Sequence, residues 1–178
     1  MSVERKVRLA RLPEMRLAYF EADIPVDYVP DDSPEMGMLW ESFNAWRLKA
    51  RPALGRIDIA ALAWQIERQP NATTFSCRVA VPIRSDYQPP APAKTTFFAG
   101  GAFAFCYADN IDEIAEAFAA VDRYVGEQGL IPASAGIEAY KFHYNLDQHP
   151  CDCGVLVTNA DGSNPLGEAQ SGPLPIAR

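Results

Sequence analysis

The residues best suited to chemistry lie in one short segment, Ile137 to Phe142. The segment is predicted to be a β-strand, and because side chains alternate between the faces of a strand, Glu138, Tyr140 and Phe142 share a face. A carboxylate among aromatic rings is costly to desolvate without a partner. A cationic ligand would pair with it while the rings supply cation–π contacts. The segment therefore predicts a site for a cationic ligand; the alternative is that Glu138 faces water on an edge strand.

Further aromatic residues are expected to complete this ligand-binding site. The candidates outside the segment are Tyr19, Trp40, Trp64, Phe105 and Tyr107. No residue is firmly assigned as catalytic. If the chain is an enzyme, Glu138 and Tyr140 are the residues placed to act in general acid–base catalysis.

Other combinations of reactive residues are weaker. His149-x-Cys151-x-Cys153 would put three potential metal ligands on one strand face, but structural zinc sites usually draw paired ligands from turns. Neither histidine has a partner in the sequence that would orient it as the base of a catalytic cysteine. Gly100-Gly101 lacks the length and the lysine of a phosphate-binding loop. We therefore expect neither a metal nor a cofactor.

Composition and charge limit the classes of partner and the location that the sequence predicts. Sixteen basic and 23 acidic residues give a net charge of −7 and form no basic stripe, so nucleic acid is not an expected partner. No apolar stretch approaches the roughly 20 residues that cross a bilayer. The first residues lack the apolar core of an export signal, and four cysteines are then expected to stay reduced, which favours the cytoplasm.

The first half of the chain predicts two strands, a helix and two strands. Val7 to Phe20 alternates around a break at Leu12-Pro13, as two strands joined by a tight turn would. Ser33-Pro34-Glu35 supplies a capping hydroxyl and a proline for the start of a helix. Its apolar face contains Trp40, which we expect to be largely buried. Two more strands are predicted at Ile57 to Ile66 and at Thr73 to Ile83.

The same order of elements begins again after a proline-rich linker at positions 82–92. Strands are predicted within Thr95 to Tyr107, and a helix follows with Asn110 as its cap. Two closing strands are predicted at Ile137 to Tyr144 and Asp152 to Thr158. The two halves thus read as strand-strand-helix-strand-strand repeats over about residues 5–83 and 93–158 of a single domain, 1–158. The Gly-, Pro- and Ser-rich tail, 159–178, is expected to be mobile.

These elements predict an α+β fold. Each repeat needs a sheet face for its helix, and the two repeats are expected to join about a pseudo-twofold axis into an antiparallel sheet with both helices on one side. A cleft at that axis is a common place for a small-molecule site.

Several short motifs, in this order, resemble one known family, the gyrase-inhibitor-like (GyrI-like) domains, which also form the effector-binding domain of AraC-type and multidrug-sensing transcription regulators. The similar region runs from Val7 to Thr158. Its motifs are Leu12-Pro13, Trp40-x-x-Phe43-x-x-Trp46, Arg78-Val79-Ala80-Val81-Pro82-Ile83, Gly100-Gly101-Ala102-Phe103-Ala104, Glu138-x-Tyr140 and Cys153-Gly154-Val155-Leu156-Val157.

The resemblance implies a curved sheet around a hydrophobic pocket in which the acid at Glu138 engages cationic, aromatic compounds, in a stand-alone sensing or sequestering module. Some similar proteins hydrolyse cyclopropane-bearing natural products, and Tyr140, Trp64 and Trp40 would then assist Glu138. A protein-binding inhibitor of the gyrase-inhibitor type is a third interpretation. The chain departs from the regulators in having no helix-turn-helix segment, so direct DNA binding is not expected, and its oligomeric state is not predicted.

Overall fold

The structure is a computed structural model that describes residues 5–27, 33–50, 54–55, 58–66, 72–141 and 149–167. The chain divides into two compact units. One unit is formed by Met15–Phe98, and the other combines Met1–Glu14 with Ala99–Arg178. Helices and antiparallel strands occur in both units, so the prediction of an α+β fold is confirmed.

The described part of the chain contains two α-helices and nine strands. In chain order they are β1 (Val7–Leu12), β2 (Met15–Pro25), α1 (Pro34–Lys49), β3 (Ala61–Gln65), β4 (Thr74–Pro82), β5 (Lys94–Phe98), β6 (Gly101–Ala108), α2 (Ile114–Glu127), β7 (Ile131–Pro132), β8 (Ile137–Tyr140) and β9 (Cys151–Thr158). The repeated order of strand, strand, helix, strand, strand is confirmed, with the short β7 as an addition after α2. Neither helix is long and apolar enough to cross a membrane.

The strands pair in the same order in the two units. In the unit Met15–Phe98 the order is β5-β2-β4-β3, and in the other unit it is β1-β6-β9-β8, with β7 paired to β9. All of the pairs are antiparallel. Matching strand orders are what the duplication seen in the sequence predicts.

The first strand of each repeat pairs with a strand of the other repeat. The partners of β1 lie on β6, from Val7 opposite Cys106 to Leu12 opposite Gly101, whereas β5 pairs with β2. The two strands predicted on either side of Leu12-Pro13 are present as β1 and β2, but they pair with other strands and not with each other. Gly100, just before β6, allows the end of β1 to approach this closely. Its φ is +70°, and the Cβ of any other residue there would lie 2.5 Å from the Leu12 carbonyl oxygen.

Helix α1 begins as its sequence predicts. The Ser33 hydroxyl accepts a hydrogen bond from the Met36 amide at 3.2 Å, and Pro34 occupies the first turn. Leu39 and Phe43 are its buried residues, and the Phe43 ring packs edge-on against Phe20 with centroids 6.1 Å apart. Trp40 keeps a minor part of its surface accessible, which agrees with the expectation that it is largely buried. It lies about 100° around the helix from the fully enclosed Leu39.

Helix α2 follows a single 3₁₀ turn, Ile111–Glu113. The predicted cap is confirmed there, because the Asn110 side chain accepts a hydrogen bond from the Asp112 amide at 3.0 Å. The buried residues of the helix are small or branched: Ala117, Ala120, Val121 and Val125. Short side chains let the helix approach its sheet closely.

Beyond β9 the first residues of the tail are held in place. Turns are closed by hydrogen bonds from Gly162 to Asn159 and from Gly167 to Asn164, and the Arg11 guanidinium donates to the Gly167 carbonyl at 2.7 Å. Backbone groups of residues 159–167 thus have hydrogen-bond partners, and the mobility of the tail stays a prediction. Residues 168–178 lie outside the described part of the chain.

Gly154 on β9 is a tightly packed position. A Cβ there would lie 2.2 Å from the Phe105 ring, which is itself fully buried and stacks on Phe103 with ring centroids 5.4 Å apart. Phe105 thus fills the space that a side chain at Gly154 would need. We expect Gly154→Ala to lower the free energy of unfolding by about 1–3 kcal/mol, as overpacking of a core does.

A matched glycine provides the control. Gly126 lies within α2, and a Cβ added there meets nothing within 4 Å. Gly126→Ala should therefore leave stability unchanged or raise it by about 0.5–1 kcal/mol. Urea unfolding of the two variants measures both effects, and equal midpoints for Gly154→Ala and the parent would contradict the packing described.

Two aromatic residues of α1, Phe43 and Trp40, allow a second comparison. Phe43 is fully buried, so Phe43→Ala should cost about 3–5 kcal/mol of stability, the usual range for large aromatic truncations in cores. Trp40→Ala should cost less, because the partly accessible indole leaves a smaller cavity. Calorimetric melting of the two variants checks the order, and a larger loss at Trp40 would contradict it.

Candidate functional site

Strand β8 brings Glu138 and Tyr140 together, as the sequence predicts. The two side chains point to the same face of the strand, and the Tyr140 hydroxyl donates a hydrogen bond to Glu138 Oε2 at 2.7 Å. Tyr140 is buried, whereas Glu138 is half-buried and keeps part of its surface accessible. An acid and a phenol are therefore held as a pair at a position that solvent still reaches.

Burial governs the protonation of this pair. Desolvation raises the pKa of the Glu138 carboxyl group, and the hydrogen bond from Tyr140 offsets only part of that effect. Desolvation, followed by the nearby Glu138 charge, raises the pKa of Tyr140 well above its ordinary value. The phenol thus stays protonated as a donor, and the carboxyl group is the member of the pair that titrates at lower pH.

The register of the strands places three thiols on the same face as Glu138. Glu138 lies opposite Cys153, and Cys153 lies opposite Cys106. Cys151 is two residues from Cys153 on the same side of β9, and the two sulfur atoms are 3.7 Å apart. All three thiols are fully buried. Their alignment with Glu138 depends on strand register, so the spacing of the cysteines in the sequence does not predict it.

The opposite face of the same sheet holds a second buried carboxylate. Asp152 on β9 is 2% exposed and is bracketed by two cations, with Lys141 Nζ 2.7 Å from Oδ2 and Arg8 Nη2 2.9 Å from Oδ1. This ion cluster is not among the predicted site residues. The signal for it in the sequence is an acid, Asp152, between two cysteines in a mostly apolar strand.

Phe105 and Tyr107 lie on the Asp152 face and not on the Glu138 face. Their partners in β9 are Gly154 and Asp152, whereas Glu138 lies opposite Cys153, the residue between them. Side chains alternate along a strand, so the register separates these two aromatic residues from Glu138. Their inclusion in the same site as Glu138 is therefore corrected.

Tyr19, Trp40 and Trp64 belong to the unit Met15–Phe98. The Arg78 guanidinium lies 4.5 Å from the centroid of the Tyr19 ring and also donates to Glu21 at 3.0 Å. The ring of Tyr19 thus holds a cation from the chain itself, in the manner expected for a ligand.

The remaining predicted aromatic residues have different surroundings. Trp64 is half-buried and lies opposite Arg78 in the pairing of β3 with β4, and Trp40 packs edge-on against Phe43 at 6.0 Å. Phe142 lies outside the described residues.

The described residues contain no group of three or more His, Cys, Asp and Glu side chains arranged to hold a metal ion. His149 is exposed and adopts a positive φ of 54° just before β9. It therefore does not continue the strand face that carries Cys151 and Cys153.

Comparison with known proteins gives a result at the level of the fold. Neither a protein-family model nor a curated protein sequence matches the chain. Among solved structures, the EcmrR C-terminal domain aligns with a TM-score of 0.66 and 10% identity over 88% of this chain and 99% of that one.

Two further structures are similar. SAV2435 bound to tetraphenylphosphonium aligns with a TM-score of 0.61 and 13% identity, over 86% of this chain and 94% of that one. A hydrolase from Listeria innocua aligns with a TM-score of 0.60 and 12% identity, over 88% and 94% of the two chains. The chain thus has an α+β fold consistent with the GyrI-like fold.

The raised pKa of Glu138 has a consequence for stability. A carboxyl group whose pKa is higher in the folded chain stabilises the fold while it is protonated, and that contribution is lost as pH rises through the folded pKa. Glu138→Gln removes the charge and keeps the shape. We expect this variant to be more stable than the parent at pH 7 to 8 and to lose that advantage at about pH 4, where Glu138 is protonated. Thermal melts across this pH range measure the difference. A variant that is less stable at every pH would contradict the assignment of a desolvated carboxylate.

Proposed function

We propose that the chain is a small-molecule-binding module of the GyrI-like type that takes cationic, aromatic ligands at Glu138. The observation that carries the proposal is the contrast between two carboxylates in one sheet. Asp152 is paired with Arg8 and Lys141, whereas among the described residues no cationic side chain forms an ion pair with Glu138.

Desolvation of the Glu138 carboxylate costs free energy. A buried carboxylate without a counter-charge is unfavourable, and the neutral hydrogen bond from Tyr140 compensates only part of that cost. A ligand cation beside Glu138 would supply the missing charge in an environment where the Coulomb attraction is stronger than in water. Because part of the Glu138 surface is accessible, a ligand would reach it without unfolding of β8.

The fold supports the same proposal. SAV2435, which aligns over most of both chains, is bound to tetraphenylphosphonium, a large aromatic cation with a delocalised charge. Such a cation loses little hydration energy on entering an apolar site and gains from one well-placed carboxylate. In this interpretation the chain senses or sequesters such compounds, as an effector-binding module does.

Hydrolysis is the second candidate function. It is favoured by the pairing of an acid of raised pKa with a phenol, and by the similarity in fold to a hydrolase from Listeria innocua. Glu138 would remove a proton from water as general base while Tyr140 orients the carboxylate. An electrophilic substrate, such as a strained ring, would be attacked by that water.

Tetraphenylphosphonium is the ligand that tests binding. It should raise the melting temperature of the chain, and triphenylphosphine oxide, a neutral compound of similar bulk, should raise it less. Glu138→Gln should weaken binding of the cation by about 1.5–3 kcal/mol in calorimetric titration, the scale of a hydrogen bond to a charged group.

The control variant removes one negative charge, as Glu138→Gln does, but at a residue outside the strand that carries Glu138. Glu127 is exposed at the end of α2, and Glu127→Gln should leave the dissociation constant unchanged. Equal affinity of the Glu138→Gln variant and the parent for the cation would contradict the proposal.

Turnover separates the two candidate functions. A binding module saturates with an electrophilic cyclopropane compound and releases it unchanged. A hydrolase converts it, and Glu138→Gln should then retain binding and lose turnover by about 100-fold or more, the usual share of acid–base catalysis. Product analysis by mass spectrometry distinguishes these outcomes.

A further inference from the structure

The thiols beside Glu138 form an arrangement that the cation-binding proposal does not use. Cys151 and Cys153 occupy alternate positions of β9, point to the same face and bring their sulfur atoms to 3.7 Å, which is van der Waals contact. Both are 0% exposed. Two sulfurs at this separation can be bridged by one atom without displacement of the strand that carries them.

We propose that Cys151 and Cys153 form a dithiol site for trivalent arsenicals. Trivalent arsenic is thiophilic and forms two bonds to neighbouring sulfurs, and a pair already in contact needs little reorganisation to make them. The rigid placement of both thiols on one central strand supplies that preorganisation. The site goes beyond the proposed cation binding and does not depend on the charge of Glu138.

The reaction balances without an oxidant or a reductant. Phenylarsine oxide carries an arsenic–oxygen double bond; as the two arsenic–sulfur bonds form, that bond is broken, and the oxygen leaves as water with the two thiol protons. Arsenic stays trivalent and both sulfurs stay at the oxidation level of a thiolate. The hydrogen bond with Cys153, followed by burial, raises the pKa of the Cys151 thiol, so simple alkylating reagents, which need a thiolate, should react slowly.

Access to the thiols is explained by the half-buried neighbour. Cys153 lies opposite Glu138 on β8, which keeps part of its surface accessible. A small arsenical entering beside the Glu138 side chain would meet Cys153 first and then Cys151. The unit Met15–Phe98 contains a natural comparison, because its one cysteine, Cys77, is also buried but has no second thiol two residues away.

The test is intact-mass spectrometry of the folded chain with one equivalent of phenylarsine oxide in thiol-free buffer. We expect one phenylarsenic adduct per chain, resistant to excess 2-mercaptoethanol and removed by 2,3-dimercaptopropanol, since only a dithiol competes with two bonds. Cys151→Ser and Cys153→Ser should each reduce the yield of resistant adduct by about tenfold or more, because each leaves a single bond. Cys77→Ser should retain it. A resistant adduct in either of the first two variants, or its loss in Cys77→Ser or Cys106→Ser, would overturn the assignment.

The melting temperature of the parent chain, measured with and without phenylarsine oxide, tests the proposal without any variant. An arsenical bound to the folded dithiol raises the melting temperature, whereas one that captures thiols of the unfolded chain lowers it. A fall would overturn the proposal. Adduct formation and tetraphenylphosphonium binding are measured separately, so failure of one leaves the other standing.

Discussion

Placing a carboxylate in a poorly solvated position costs free energy, and this cost determines the surroundings that Asp152 and Glu138 require. Strands β8 and β9 carry two such groups on opposite faces. Asp152 is stabilised by Arg8 and Lys141, a solution that uses two cations for one carboxylate. Among the described residues, Glu138 has a hydrogen bond from the Tyr140 hydroxyl and no ion pair. The described part of the sheet thus neutralises Asp152 with cations, and the proposed ligand would supply the counter-charge for Glu138.

The distribution of aromatic residues follows from the same separation of faces. Phe103 and Phe105 stack on the Asp152 face, and Phe105 fills the space above Gly154. Their role is in packing. On the Glu138 face the register places sulfur atoms and the Tyr140 ring, which are polarisable and only weakly polar. Soft, delocalised cations suit such surroundings better than small, strongly hydrated ones.

Local signals predicted much of the architecture, and non-local pairing limited the rest. Ser33 and Asn110 act as caps because their chemistry is local, and Glu138 and Tyr140 share a face because strand alternation is local. The pairing of β1 with β6 joins residues far apart in the chain, and no spacing in the sequence specifies it. For the same reason the sequence did not show that Phe105 and Tyr107 lie on the far face. The Arg78 guanidinium over Tyr19 was equally hidden, because a contact between neighbouring strands depends on register.

The most direct test of the central claim is the pKa of Glu138, measured by carbon NMR on chain labelled at glutamate side chains and assigned with Glu138→Gln. In the ligand-free chain the account predicts a pKa above the ordinary value of 4.5, because desolvation disfavours the charge. Saturating tetraphenylphosphonium should lower it, since a bound cation favours the ionised form, and affinity for the cation should correspondingly fall as pH drops through the ligand-free pKa. A pKa at or below the ordinary value in the free chain, or one that the cation leaves unchanged, would contradict the account.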